Sequence, residues 1–400
     1  MGIIDNKPVI NHGKFCGTSY NAVQINMQKP TVNAPAPQMI YDYPQAGGQI
    51  YYPPMQKPVS FGQNKVIRTL SGADDYENYI ETNANGDEIA SVKYSKEGNI
   101  LVQNLKTKSP DGTMLEKTLK NSDNIKTSHI TIKDKDGNLL FTKEKTYQKV
   151  DEDTAQTILN GDVYNISGLK GNIITVEHNG KKTEINLDKM LNPDVKILKM
   201  NTSPENFNIR DKKITDEEKE KLFNRIKSLG GDDLIRLSKS VEHLQLLDEK
   251  SIESFYVDTG KTLLLSPKDW GTSHMVTEHE LGHAITYSVP DENNLISDNE
   301  QFINIRNYEK ENFKNNTGMT SGDKLFGSKF MFGNPDYAWE IGDKDGEEAN
   351  LRNETFAECY NNLNNMDIIR YDDEVLPMRT LSLFKYLPRT LAVADKLSQI

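Results

Sequence analysis

The chain has 400 residues, with 48 lysines and arginines against 59 acidic residues and a formal net charge of −11. Its basic residues are dispersed and outnumbered, which excludes the basic surface expected of a nucleic-acid-binding protein. The length predicts two or three domains and a sizeable core. Cys16 and Cys359 are far apart in sequence and in context, so they do not indicate a structural disulfide.

The sequence predicts neither a membrane span nor a signal peptide. No stretch approaches the roughly 20 apolar residues that a spanning helix needs. The N-terminal residues 1–6 show neither the basic nor the apolar segment of a signal peptide. The protein is therefore expected to stay in the cytoplasm or to leave the cell by a non-standard route. The sequence does not indicate an oligomeric state.

Residues 1–65 are predicted to form a disordered arm. They are rich in Pro, Asn and Gln, and their prolines interrupt any regular element. The Tyr-Tyr-Pro-Pro segment at residues 51–54 is compatible with polyproline-type recognition. Composition favours the simpler interpretation, which is a flexible leader.

Residues 66–190 are predicted to form an antiparallel β-rich domain. Short runs of alternating polarity, such as residues 129–133, are separated by dipeptides that favour tight hairpin turns. These dipeptides are Asn85-Gly86, Asp111-Gly112, Asp136-Gly137, Asn160-Gly161 and Asn179-Gly180. The pattern predicts a meander with one solvated face and no catalytic chemistry of its own.

From residue 191 the apolar spacing becomes helical, with a capping box at Thr215 and Glu218 and a second helix predicted over 234–247. A hairpin is predicted around Asp258-Thr259-Gly260, and its second strand, residues 261–265, is expected to be an edge strand that pairs with an extended substrate. The predicted fold class is α+β, with residues 191–400 forming a mainly helical domain with a small sheet.

The motif with the clearest chemistry is His-Glu-Leu-Gly-His at residues 279–283. Residues four apart share one face of a helix, so His279 and His283 can direct two imidazoles at one metal ion. Glu280 lies about 100° further round the helix, within reach of a water at that metal. Two nitrogen ligands from one helix, a third protein ligand and a water are what tetrahedral catalytic zinc requires.

The third ligand is expected from Glu354 or Glu358, which are again four residues apart on a predicted helix. Two carboxylates on one face are unfavourable unless a positive group lies opposite, and a zinc ion with its imidazoles supplies one. One carboxylate then contacts the metal, and the other accepts the second N–H of a ligand histidine, for which His279 is the candidate. Spacing alone does not decide between them.

This pair of motifs resembles the catalytic domain of anthrax lethal factor and the related Pro-Pro endopeptidases, which are gluzincins. That family pairs His-Glu-x-Gly-His with a later Glu-x-Phe-Ala-Glu, and the counterparts here are residues 279–283 and 354–358. The likeness covers residues 195–400. Pro388-Arg389-Thr390 before a predicted terminal helix is also similar.

The resemblance implies a zinc-dependent endopeptidase that acts on a protein or peptide substrate. It assigns the zinc ligands to His279, His283 and Glu354, the general base to Glu280, and the support of a ligand histidine to Glu358.

The family also places a tyrosine seven residues before its glutamate ligand, where this chain has Glu347. If residues 339–350 are an inserted loop, Tyr337 takes that place as the catalytic tyrosine. Tyr360 is a weaker candidate because it follows the ligand on the same helix.

Two other functions remain open from the sequence. One is a catalytically inactive zinc-binding module that serves the β-rich domain in an interaction. Glu280 argues against it, because a structural zinc site needs no base. The other is a secreted or effector protease directed at a host protein, which sequence does not distinguish from a housekeeping peptidase.

Overall fold

The computed structural model describes residues 64–73, 76–191, 214–246, 254–265, 275–288, 295–316, 344–368 and 375–399. The predicted disordered arm lies outside these ranges except for its last two residues. Within them the chain is α+β, with a large antiparallel sheet and several helices. This part of the fold-class prediction is confirmed.

In the described residues, eleven strands form one antiparallel sheet in which neighbours pair in chain order. They are β1 (Lys65–Leu70), β2 (Glu77–Thr82), β3 (Glu88–Glu97), β4 (Ile100–Lys108), β5 (Met114–Asn121), β6 (Ile125–Lys133), β7 (Leu139–Lys149), β8 (Thr154–Leu159), β9 (Asp162–Ser167), β10 (Ile173–His178) and β11 (Lys181–Asn186). All five predicted turn dipeptides lie in hairpin connections, and each of their glycines has a positive φ. Tight hairpin turns require this left-handed conformation, which glycine adopts without steric cost.

One face of the sheet is buried, as strand β5 illustrates. Leu115, Lys117 and Leu119 alternate inward, whereas Glu116 and Met114 face outward. Successive side chains of a strand point to opposite faces, so the period of two selects the core side. Lys117 therefore lies on the buried face, between two leucines.

In the described residues there are eight α-helices. They are α1 (Leu187–Met190), α2 (Asp216–Lys227), α3 (Gly231–Ser240), α4 (Met275–Thr286), α5 (Glu300–Lys314), α6 (Lys344–Asn364), α7 (Val375–Tyr386) and α8 (Pro388–Leu397). The predicted capping box begins α2, with reciprocal bonds between Thr215 and Glu218. Helix α3 packs on β8 to β11, α7 on β4 and α8 on β6. Sheet and helices therefore share one hydrophobic core.

A second, three-stranded sheet corrects two predictions. It contains β12 (His243–Leu246), β13 (Phe255–Val257) and β14 (Thr262–Leu265), in the order β12-β14-β13. Strand β14 is central, parallel to β12 and antiparallel to β13, so the prediction that residues 261–265 form a substrate-pairing edge was wrong. The helix predicted over 234–247 ends at Ser240, and its last residues form β12, because Leu244 is buried beside β14.

Buried ion pairs join the large sheet to helix α3. The ammonium of Lys145, on β7, lies 3.0 Å from Asp232 and 2.5 Å from Asp233 with no exposed side-chain surface. Burial opposes the charged form, but the two carboxylates outweigh it and raise the pKa of Lys145. Arg236 lies 2.9 Å from Asp232, and the hydroxyl of Tyr360 on α6 donates to Asp233. The cluster thus connects β7, α3 and α6.

Two further lysines of the same sheet face bind the C-terminal end of α6. Lys117 donates to the carbonyl oxygens of Asn362 and Asn365, at 2.7 and 3.0 Å. Lys143 donates to the side-chain oxygen of Asn364 at 2.8 Å. Burial lowers the pKa of Lys117 to about 7. These contacts cross the predicted domain boundary near residue 190.

The Lys145 cluster yields a stability prediction. Lys145→Met keeps most of the side-chain volume but leaves Asp232 and Asp233 buried without their ammonium partner. The free energy of unfolding should fall by about 3–5 kcal/mol, as when one member of a buried pair is removed. Chemical denaturation followed by circular dichroism measures it.

Lys106→Met is the matched control, because Lys106 pairs with Glu116 at 2.8 Å on the exposed face of the sheet. Its loss should stay below about 1 kcal/mol. Equal small losses in both variants would show that the buried cluster does not stabilise the fold.

Candidate metal centre

Helix α4 carries the His-Glu-Leu-Gly-His motif through the core. Leu281 and Ala284 have no exposed surface, and His279 and His283 are 3 % and 8 % exposed. Glu280 is 2 % exposed. The helix ends at Thr286. The motif therefore lies on a buried helix, with its two imidazoles one turn apart.

Helix α6 carries the second motif and packs against α4. Phe356, Cys359 and Tyr360 are fully buried, which fixes the face that α6 turns to the core. Residues from 344 onward belong to this helix. The prediction of an inserted loop over 339–350 was therefore wrong for its second half, and residues 339–343 lie outside the described ranges.

Gly282 sets the distance between the two helices. A Cβ atom at this position would lie 2.8 Å from the Cα of Ala357 and 3.2 Å from the Cβ of Tyr360. Real Cβ atoms do not approach a backbone atom so closely. A side chain here would push α6 away from α4, which explains a glycine that costs the helix roughly 1 kcal/mol against alanine.

This close approach brings His279, His283 and Glu354 together. The Nε2 atoms of the two histidines are 3.2 Å apart. The two carboxylate oxygens of Glu354 each lie 3.5 Å from one of these nitrogens. In the described residues these three side chains form a group whose ligand atoms could hold one metal ion.

Glu358 lies on the other side of the His279 ring. Its Oε1 is 3.2 Å from Nδ1 of His279, and its Oε2 accepts from Asn362 at 3.4 Å. A carboxylate at Nδ1 favours the tautomer with hydrogen on that nitrogen, which leaves the Nε2 lone pair directed at Glu354 and His283. The structure thus puts Glu354 on the Nε2 side of the His279 ring and Glu358 on its Nδ1 side.

The centre is rich in negative charge. Burial lowers the pKa of His283, but the carboxylates of Glu354 and Glu280 outweigh it, and the net shift is upward. Burial raises the pKa of Glu354, yet the imidazoles of His283 and His279 lower it well below its usual range. Acidic groups at this depth need a cation opposite them. A metal ion or a protonated imidazole meets that need.

The N-terminal half of α6 is fixed from α5. The guanidinium of Arg306, which is fully buried, donates to Thr355 Oγ1 at 3.1 Å and pairs with Glu348. Lys310 pairs with the same carboxylate at 3.0 Å. Thr355 follows Glu354 directly, so this clamp restrains the backbone beside the third donor. The sequence offered no signal for Arg306.

The tyrosine predictions have different outcomes. Tyr337 lies outside the described residues. Tyr360 is buried with its hydroxyl donated to Asp233, away from the histidines, so it is not available to a substrate. Tyr287, which sequence reasoning did not consider, bonds through its hydroxyl to Asn353, the neighbour of Glu354. Its position four residues after His283 was the available signal.

Comparisons with protein-family models, with curated proteins and with solved structures return no match for this chain. Within the described residues, no helix combines the length and the apolar character that crossing a membrane requires. The chemistry of the centre therefore has to be derived from its own residues.

Gly282→Ala tests whether the close helix crossing assembles the centre. Helix propensity alone would add roughly 1 kcal/mol of stability. Because the new methyl collides with Ala357, the free energy of unfolding should fall instead, by about 1–3 kcal/mol. Zinc affinity, measured by competition with a chromophoric chelator, should fall at least about tenfold.

Gly72→Ala is the control, since no atom lies within 4 Å of a Cβ built at Gly72. It should leave both quantities unchanged. Unchanged zinc affinity in Gly282→Ala would mean that the donors do not depend on the spacing between α4 and α6.

Alanine substitution of Glu354 and of Glu358 distinguishes a zinc ligand from a residue that only orients His279. Glu354→Ala removes the carboxylate between the two Nε2 atoms and should yield largely zinc-free protein. Glu358→Ala removes only the group behind His279, so it should keep zinc at high concentration with about 10–100-fold weaker affinity. Atomic absorption after mild dialysis measures both.

The reverse pattern would exchange the two roles. Full zinc retention in both variants would place the third ligand elsewhere, with His274, Asp336 and Glu347 as the next residues to substitute.

Proposed function

We propose that this chain is a zinc-dependent endopeptidase of the gluzincin type, with a zincin-like catalytic domain similar to that of anthrax lethal factor and the Pro-Pro endopeptidases. The observation that supports it most is the grouping of His279, His283 and Glu354: their two Nε2 atoms lie 3.2 Å apart, and each is 3.5 Å from a different oxygen of the Glu354 carboxylate. Glu280 follows His279 on the same helix.

The spacing of these donor groups is close to what a tetrahedral zinc ion requires. Zinc bonds to nitrogen and oxygen of about 2.0–2.2 Å separate the donors of a tetrahedral site by roughly 3.3–3.6 Å. Three protein donors leave one position for water or substrate, as catalytic zinc sites do and structural ones do not. Bound there, the ion would polarise the scissile carbonyl and lower the pKa of a water to about 7.

Glu280 is the proposed general base. It follows His279 directly on α4, is 2 % exposed, and does not belong to the set of three donors. Its contribution to the raised pKa of His283 supports a position near that ring. In the reaction Glu280 takes a proton from the attacking water and delivers it to the leaving amine.

Glu358 has a positioning role in this proposal. With its Oε1 3.2 Å from Nδ1 of His279, it would orient the ring and make Nε2 a stronger donor. The same carboxylate is restrained by Asn362, whose backbone carbonyl is bound by Lys117 of the sheet. The large sheet therefore supports the centre through two successive contacts.

A base at this position argues against the inactive zinc-binding module. A closed structural site takes a fourth protein ligand and needs no proton acceptor. In this proposal Glu280 supplies the proton acceptor and three protein donors leave the fourth position to water, which favours hydrolysis of a peptide bond over a structural role.

Glu280→Gln tests the base. The variant should bind one zinc ion like the wild type, because Glu280 is not a ligand, and should lose at least 99 % of its peptide hydrolysis, within the roughly 10²–10⁴-fold contribution of acid–base catalysis. Zinc content and cleavage of a peptide library, with and without a chelator, measure the two properties.

Glu278→Gln is the matched control on the same helix. Burial, together with the nearby Asp233, raises the pKa of Glu278 well above its usual range, so an amide imitates its neutral form. This variant should stay active. Retained activity in Glu280→Gln would assign the base to another residue, whereas a wild type that binds zinc and cleaves no library peptide would favour the inactive module.

A further inference from the structure

Tyr287 extends the histidine face of α4. It follows Thr286, and its backbone N–H donates to the carbonyl oxygen of His283 at 3.3 Å, which continues the helical turn. Residues at intervals of four lie above one another on a helix. His279, His283 and Tyr287 therefore form a single column.

The hydroxyl of Tyr287 is held at the junction of α4 and α6. It accepts a hydrogen bond from the side-chain nitrogen of Asn353 at 3.3 Å. Asn353 is 8 % exposed and immediately precedes Glu354, so the phenol is tied to the residue next to the third donor.

The bond to Asn353 determines what the phenol can still do. Because the amide donates and the phenol oxygen accepts, the hydroxyl hydrogen of Tyr287 remains available. Among the described residues, none accepts it. Tyr287 is also 38 % exposed, unlike the buried Tyr360, so an incoming molecule can reach it.

The ring of Tyr287 packs near that of Tyr256, whose hydroxyl is engaged in a different hydrogen bond. Tyr256, on β13, lies with its ring centroid 5.9 Å from that of Tyr287. The hydroxyl of Tyr256 donates to the carbonyl oxygen of Ser240 at 3.1 Å. Of this ring pair, only Tyr287 keeps a donor that can serve a ligand.

We propose that Tyr287 is a catalytic residue that donates a hydrogen bond to the carbonyl oxygen of the scissile peptide bond, with Asn353 as its positioning residue. This role rests on the proposed peptidase function. Negative charge develops on that oxygen as water adds to the carbonyl carbon, and a fixed donor stabilises it most in the transition state. The phenol keeps its proton throughout, so no bond to it forms or breaks.

The kinetic test compares two phenylalanine variants that keep both rings. Tyr287→Phe should lower kcat about 100-fold, the scale of losing one oxyanion donor, with KM and zinc content near wild type. Tyr256→Phe removes the hydroxyl bound to Ser240 and should change kcat less than threefold. Activity of Tyr287→Phe within threefold of wild type overturns the assignment, as does a large loss in Tyr337→Phe alone.

A double-mutant cycle tests the positioning role. Asn353→Leu should lower kcat by a smaller factor than Tyr287→Phe, because it misorients the phenol without removing it. In the Tyr287→Phe background the same substitution should have almost no further effect, as expected for residues that act as a unit. Independent, multiplying losses would show that Asn353 does not act through Tyr287.

A spectroscopic measurement separates this inference from the peptidase proposal. The protein is labelled with 3-fluorotyrosine and loaded with Co²⁺, which accepts similar nitrogen and oxygen ligands. The ¹⁹F resonance that is missing in Tyr287→Phe should be strongly shifted or broadened relative to the Zn²⁺ form. The resonance of Tyr79, in the large sheet, should hardly move.

The two failures are then distinguishable. An unperturbed Tyr287 resonance refutes the inference even if the protein cleaves peptides. A perturbed resonance in a protein that cleaves none leaves Tyr287 facing the metal and refutes the peptidase proposal instead.

Discussion

Helix α6 has to be held in place at both ends, because the metal centre depends on where it lies. Its C-terminal end is bound by Lys117 and Lys143 from the sheet, and its N-terminal half by Arg306 from α5. Leaving a buried polar or charged group without its partners is unfavourable, so each of these contacts disfavours any displacement of the helix. Glu354 lies between Glu348 and Thr355, the two residues that Arg306 contacts, and is thereby fixed relative to the histidines of α4.

The same contacts give the large sheet a structural part in the centre. Its turns and alternating strands suggest a self-contained meander, yet its inner face supplies ammonium groups to helices of the other predicted domain. Lys145 reaches Asp233, whose carboxylate also accepts from Tyr360, two residues after Glu358 on α6. The sheet thus helps to fix the position of α6, and with it Glu354, through buried polar contacts, without contacting Glu354 or the two histidines directly.

Local patterns were predictable because each arises within a few residues. The hairpin dipeptides, the capping box at Thr215 and the spacing of the two motifs all depend on backbone geometry that a short segment determines. Strand β14 was misjudged because its neighbour β12 continues a helical sequence and becomes a strand only through pairing. Lys117 and Lys143 were missed because a lysine in an alternating strand ordinarily marks the solvated face, and only tertiary packing reverses this.

The contact between Gly282 and Ala357 follows from the same requirement, which is to bring His279 and His283 on α4 close to Glu354 on α6. Donors on two helices can approach within 3.5 Å only if the helices themselves nearly touch, and a Cβ at Gly282 would already lie 2.8 Å from the Cα of Ala357. Such contact offers little apolar area at the crossing, since the residues there must be small. The two helices are therefore held together by Phe356 and Tyr360 in the core and by the polar contacts of Lys117, Lys143 and Arg306 at the two ends of α6. The polar contacts at the ends of α6 therefore hold this helix against α4, and the small residues Gly282 and Ala357 allow the two helix backbones to approach closely.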